Sequence, residues 1–102
     1  MTHQIVWSFD VKPASVEAFE RAYGPGGDWA QLFGRDPAYL GTALLRDVDA
    51  EGRYLTIDRW SSRRDFQRFH EAFRVEYLAL DARCERLTER EQLVGIFETK
   101  ES

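Results

Sequence analysis

Arg53-Tyr54-Leu55-Thr56-Ile57-Asp58-Arg59-Trp60 alternates with period two: Leu55 and Ile57 point one way, Tyr54, Thr56, Asp58 and Trp60 the other. Both faces carry bulky or β-branched groups, the pattern of a central strand with something packed on each side. The Leu55 and Ile57 face suits a helix layer. The other, with an acid and two aromatics, suits a partner surface or a pocket.

Upstream, Tyr39 to Val48 alternates in the same way, with Leu40, Thr42, Leu44 and Arg46 on one face. Asp49-Ala50-Glu51-Gly52 makes a short turn between the two runs, so they form a hairpin. Downstream, Ser61-Ser62 caps a long helix, and Asp65 stands three residues after Ser62 in capping-box position. Phe66, Phe69, Phe73, Tyr77, Leu80 and Cys84 fall within about 60° of one another at roughly 100° per residue, one apolar stripe. A stretch this long favours a bend near Arg74.

Toward the N-terminus, His3 to Val11 is a strand with Ile5, Trp7, Phe9 and Val11 on one face. Lys12-Pro13-Ala14-Ser15 starts a helix, proline being tolerated in a first turn, and Val16, Phe19 and Tyr23 give it a single stripe. Gly24-Pro25-Gly26-Gly27 breaks it. Asp28 reads as the N-cap of a brief helix, Trp29 to Phe33, closed by Gly34. The glycine-rich breaker lacks the lysine and the spacing of a phosphate loop and reads as a seat for Trp29. Gln92 to Thr99 is the last strand, with Val94 and Ile96 on one face and Leu93 and Phe97 on the other; beyond Lys100 a loose tail is expected.

The order is therefore β-α-β-β-α-β, with one short extra helix. This α+β pattern is ferredoxin-like: a four-stranded antiparallel sheet with helices on one face. The strands carry apolar residues on both faces, so the bare face calls for cover, and a second copy of the chain supplies it most simply.

With 102 residues, 1–102 reads as one domain. Apolar residues make up 43% and aromatics 14%, an aromatic share that favours a pocket or an interface beside the ordinary core. A formal charge of −4 with interspersed signs and no basic stripe argues against a nucleic-acid partner. Cys84 is the only cysteine, so neither a disulfide framework nor a thiolate metal site is expected. No signal-like start and no membrane-length apolar run occur, and a soluble, cytoplasmic protein is expected.

Several stretches resemble the antibiotic-biosynthesis-monooxygenase group of dimeric α+β-barrel proteins. They are Phe9-x-Val11-x-Pro13 with Phe19-Glu20, Tyr39-Leu40-Gly41-Thr42, and Tyr54 to Trp60 with Phe66 six residues after the tryptophan. Gly24 to Phe33 resembles the small bacterial proteins of that group. The resemblance spans nearly the whole chain, and its motifs are structural. It implies a homodimer whose sheets face each other as a barrel, with a pocket in each subunit between sheet and helices. Some members oxidise phenol- or quinol-type aromatics with oxygen, using no metal and no flavin; others cleave haem; many have no assigned activity. The haem-cleaving pattern is absent. The first strand has no Asn, Phe69 stands at the Trp position, and Glu71 to Arg86 contains no His.

His70 lies about 40° from Phe66 at the edge of the helical stripe, and it is the candidate catalytic base for a phenolic proton; the bland alternative is a boundary histidine with its tip in water. Tyr23, Trp29, Trp60, Phe69, Phe73 and Tyr77 are the candidate substrate-binding residues, with Trp29 as a lid and Phe69, Phe73 and Tyr77 as a floor. Each also fits a core role. Asp58 reads as half of an ion pair with Arg46 or Arg59 at the dimer interface, His3 as incidental, and Cys84 as packing. No metal site and no cofactor are expected. The two functions in play are a cofactor-independent monooxygenase acting on a small aromatic metabolite and a non-enzymatic dimeric module of the same fold that binds a small apolar ligand or regulates.

Overall fold

The structure, a computed structural model, describes residues 2–100, so the tail past Lys100 lies outside the described residues. Four strands, β1 (His3–Val11), β2 (Tyr39–Arg46), β3 (Arg53–Trp60) and β4 (Thr88–Glu98), form one antiparallel sheet in the order β2-β3-β1-β4. The helices are α1 (Val16–Tyr23), α2 (Asp28–Phe33), α3 (Arg63–Ala72) and α4 (Arg74–Cys84), with 3-10 turns before α1 and after α4. This is the ferredoxin-like arrangement expected from the element order, with β3 and β1 central.

Alternation explains the core. Ile5, Phe9, Val11, Tyr54, Thr56 and Trp60 point to the helix side and are buried, while their sequence neighbours are more exposed. The two faces of β3 are therefore assigned opposite to expectation: the Tyr54, Thr56, Asp58 and Trp60 face meets the helices, and Leu55 and Ile57 look out. Both faces are bulky, and the aromatic one wins because Phe19, Phe33 and Phe69 interlock with it at ring separations near 5 Å.

Loop details follow from backbone fit. Gly27, not Asp28, is the N-cap of α2, and a Cβ there would lie 2.2 Å from the Arg21 carbonyl oxygen. Only glycine lets the chain turn this close to the end of α1. Ser62 caps α3 as expected, its hydroxyl accepting from the Asp65 N–H at 3.1 Å. The long helix breaks at Phe73, where φ is −111° and ψ 28°, giving α3 and α4.

β4 starts four residues earlier than expected, and its pairing with β1 slips between Val6 and Trp7. Ile96 faces Ile5 and Leu93 faces Trp7, with Val94 left over. This bulge puts Leu93 and Ile96 on one face, against the sequence reading, because one surplus residue inverts the alternation. Phe97 turns to the open side, its ring lying over Gly95. His3, expected to be incidental, is buried at the sheet end with its ring 6.0 Å from that of Phe66.

Candidate functional site

A two-lobed cavity separates the sheet from the helices. The inner lobe, about 130 Å3, is walled by Trp7, Phe9 and Thr56 on the sheet side and by Tyr23, Trp29 and Tyr77 on the helix side. The outer lobe, about 390 Å3, runs between Ile5, Leu93 and Ile96 and the helix residues Phe66, His70 and Arg74. Trp7, Phe33, Asp58 and Tyr77 line both, so the lobes join at these four side chains.

The short α2 is held in place by aromatic packing. Trp29 is buried with its ring 5.0 Å from Tyr77, 5.7 Å from Phe33 and 6.0 Å from Tyr23. It lines the inner lobe as a buried wall, at the residue expected to serve as a lid. By hydrogen-bond geometry its indole N–H has no partner among the described residues, which leaves a buried donor in the cavity wall.

Of the six aromatics named from the sequence, the structure brings Tyr23, Trp29 and Tyr77 to the cavity. Trp60, Phe69 and Phe73 stand behind it. Trp60 and Phe69 are wholly buried, 4.9 Å apart, and Phe73 stacks on Phe69 at 5.0 Å. The floor is instead Trp7, Phe33 and Asp58. His70 lines the outer lobe half-buried, its ring 4.6 Å from that of Tyr77 in an edge-to-face contact.

Asp58 corrects its sequence reading most sharply. It faces the cavity, and among the described residues no arginine pairs with it. Arg59, its chain neighbour, necessarily points to the opposite face and reaches the Leu40 carbonyl. Arg46 is four residues along β2 from Thr42, the residue opposite Asp58. The partner is Thr42, whose hydroxyl donates to Asp58 Oδ1 at 2.6 Å and in turn receives the Tyr39 hydroxyl. With no cation paired to it among the described residues, burial pushes the Asp58 pKa up to about 6, the Thr42 bond opposing it.

Other groups around the cavity shift for the same reason. Burial raises Tyr23, and raises Tyr77 to about 12, so both hydroxyls stay protonated at neutral pH. Burial and the neighbouring Asp81 carboxylate raise Glu91, which lines the inner lobe. The cavity thus offers aromatic walls, two phenolic donors, an imidazole on the helix side and a carboxyl on the sheet side. No group of three His, Cys, Asp or Glu side chains converges on a metal-binding arrangement among the described residues, and no described helix is long and apolar enough to cross a membrane. Sequence reasoning missed Trp7, Phe33 and Asp58 as floor residues. The signal for Asp58 was there, an acid on an otherwise aromatic and β-branched strand face.

A family model described as antibiotic biosynthesis monooxygenase matches residues 3–75. No curated protein matches the chain. Among solved structures it is similar to SnoaB, a cofactor-independent oxygenase from Streptomyces nogalater, at 24% identity and a TM-score of 0.79, covering 99% of this chain and 95% of that one. It is also similar to Rv0793 from Mycobacterium tuberculosis, at 13% identity and a TM-score of 0.71, covering 100% of this chain and 98% of that one. A conserved protein from Methanosarcina mazei Go1 has 10% identity and a TM-score of 0.73, with 98% and 94% covered. At these identities the likeness establishes the fold.

Proposed function

Because the chain belongs to the antibiotic biosynthesis monooxygenase family, we propose that it is a monooxygenase that uses no metal or flavin and acts on a small phenol- or quinol-type aromatic. The observation that carries this reading is the cavity itself, a slot between sheet and helices with aromatic walls and an imidazole, His70, on its roof. Such a site does the two things oxygenation of a phenol requires. It strips water from the ring, and it takes the hydroxyl proton to leave an electron-rich anion.

In the proposed step the phenolic proton passes to His70 and the ring anion gives electrons to dioxygen. A carbon–oxygen bond forms at ring carbon and the oxygen–oxygen bond breaks. One oxygen stays as the new quinone carbonyl, and the other leaves as water with the phenolic and ring-carbon protons. A phenol and one dioxygen therefore give a quinone and one water, with no external reductant. Tyr23, Trp29 and Tyr77 are the substrate walls, and Trp60, Phe69 and Phe73 support them from behind.

A homodimer in the cytoplasm belongs to the same reading. The open sheet face carries Leu55 and Ile57 with the exposed Leu45 and Phe97, and the helices cover only the other side. The test is oxygen uptake by the purified protein across a panel of phenols and hydroquinones, with and without chelator. Ligand-dependent uptake that chelators leave unchanged supports the reading. No uptake across the panel removes it.

A further inference from the structure

Two titratable acceptors look into the outer lobe from opposite layers: His70 from α3 on the helix side, Asp58 from β3 on the sheet side. A ring standing upright between the layers presents one edge to each. His70 has a role in the proposed oxygenation; Asp58 has none so far. Its geometry is nevertheless that of a prepared group. Oδ1 is occupied by Thr42 at 2.6 Å, with Tyr39 bonded behind it, so the carboxyl plane is held. Oδ2 has no hydrogen-bond partner among the described residues and is not among the buried atoms left unsatisfied, so it is open to the cavity.

We propose that Asp58 is a specificity-determining residue whose free carboxylate oxygen accepts a hydrogen bond from a second hydroxyl of the substrate, on the ring edge remote from the one His70 deprotonates. The substrate class is then a quinol-type ring with donors on two edges rather than a monophenol. A carboxylate accepts only and makes the stronger, charge-assisted bond to a hydroxyl; a methyl ether at the same place brings no hydrogen and leaves the anion bare. Thr42 is a positioning residue that holds the acceptor.

The acceptor exists as a carboxylate above a pH of about 6. The other titratable or charged groups around it are Tyr77 and Asp81 on α4, Glu91 on β4, Tyr23 on α1, and His70, Glu71 and Arg74 around the outer lobe, with Tyr39 behind Thr42. The two tyrosines of the cavity wall do not ionise near neutrality, and variants at His70 and Glu91 serve as controls for the contribution of Asp58.

This inference rests on the proposed oxygenation for the role of His70, but its test reads binding and not turnover. Affinities of hydroquinone and 4-methoxyphenol are measured anaerobically by tryptophan fluorescence between pH 5 and 8. Wild type is expected to favour hydroquinone about tenfold at pH 7.5, the scale of one charge-assisted hydrogen bond, and to lose that preference as pH falls through about 6. Asp58→Asn should bring the preference to twofold or less at every pH. Thr42→Val should keep a preference but move its midpoint upward, since the hydroxyl that favours the carboxylate is gone. His70→Gln and Glu91→Gln should leave the midpoint in place. Equal affinity for the two probes in wild type, no binding of either, or a full preference retained in Asp58→Asn would each overturn the inference. Oxygen uptake without the preference sinks Asp58 alone. The preference without uptake on any phenol sinks the oxygenase and leaves Asp58 as the selector of a bound quinol.

Discussion

The two faces of the sheet are both apolar and differ in kind. The helix side presents Phe9, Tyr54 and Trp60, rings that interlock with Phe19, Phe33 and Phe69, and beside them Trp7 lines a slot where the layers do not meet. The open side presents Val6, Leu45, Leu55 and Ile57, short branched groups on a regular ladder. Rigid plates that meet at angles enclose spaces, and aliphatic groups on a flat pleat make a surface that another sheet can match. One face therefore encloses a cavity, and the other is an open, regular apolar surface.

The hardest way to break that contrast is at its aromatic centre. Phe69→Ala removes a wholly buried ring in contact with Phe33, Trp60 and Phe73, and should lower stability by about 3–5 kcal/mol in urea unfolding. A loss under about 1 kcal/mol would mean that these rings do not frame the cavity. On the open face, Ile57→Lys should leave the fold intact and the dimer undone. Light scattering at micromolar concentration should give roughly twice 11.9 kDa for wild type and 11.9 kDa for the variant. A monomeric wild type would refute the assignment of that face.

The next test concerns the one acid on the aromatic face. The folded pKa of Asp58, about 6, lies above its ordinary 3.8, so between those values the folded chain binds more protons than the unfolded one. Its contribution to stability is complete below pH 3.8 and is lost as pH rises through about 6. Asp58→Asn has no such titration. Relative to wild type it should gain about 2 kcal/mol between pH 4 and pH 7, and a constant difference would show that the carboxyl is not desolvated.

Turnover comes next. His70→Gln should slow oxygen uptake at least about tenfold with the dimer intact, since a half-buried side chain contributes modestly to packing. An equally fast variant would keep the enzyme and discard the base. The smallest effect belongs to a third surface, the outside of α4. Val75 is 79% exposed, and Val75→Ser should change stability by less than about 0.5 kcal/mol in the same urea experiment. A larger loss would point to an apolar contact outside both sheet faces.

Much of this architecture is legible in the chain because period two and the 3.6-residue stripe are local properties. β1, the β2–β3 hairpin, the Ser62 cap and the break near Arg74 all stand where the pattern puts them. What failed was phase and side. The two sides of β3 are equally bulky, so alternation separates them without saying which one the helices take. The surplus residue in β4 is invisible to a pattern that counts by twos. A helical stripe places Phe66, Phe69 and Tyr77 on one face but does not say which ring abuts the cavity and which stands behind it. The floor of the cavity needed the tertiary fold, because Trp7, Phe33 and Asp58 come from three different elements.

Val94 is surplus to the pairing of β4 with β1. A strand with one residue too many is a strand with a residue in reserve. Loss of Val94 would straighten the pairing and still leave Leu93 opposite Trp7 and Ile96 opposite Ile5. A second surplus residue between them has no such neutral outcome, since it must double the slip or throw Ile96 and Phe97 onto each other's sides. At this edge of the cavity a deletion is expected to be tolerated and an insertion is not.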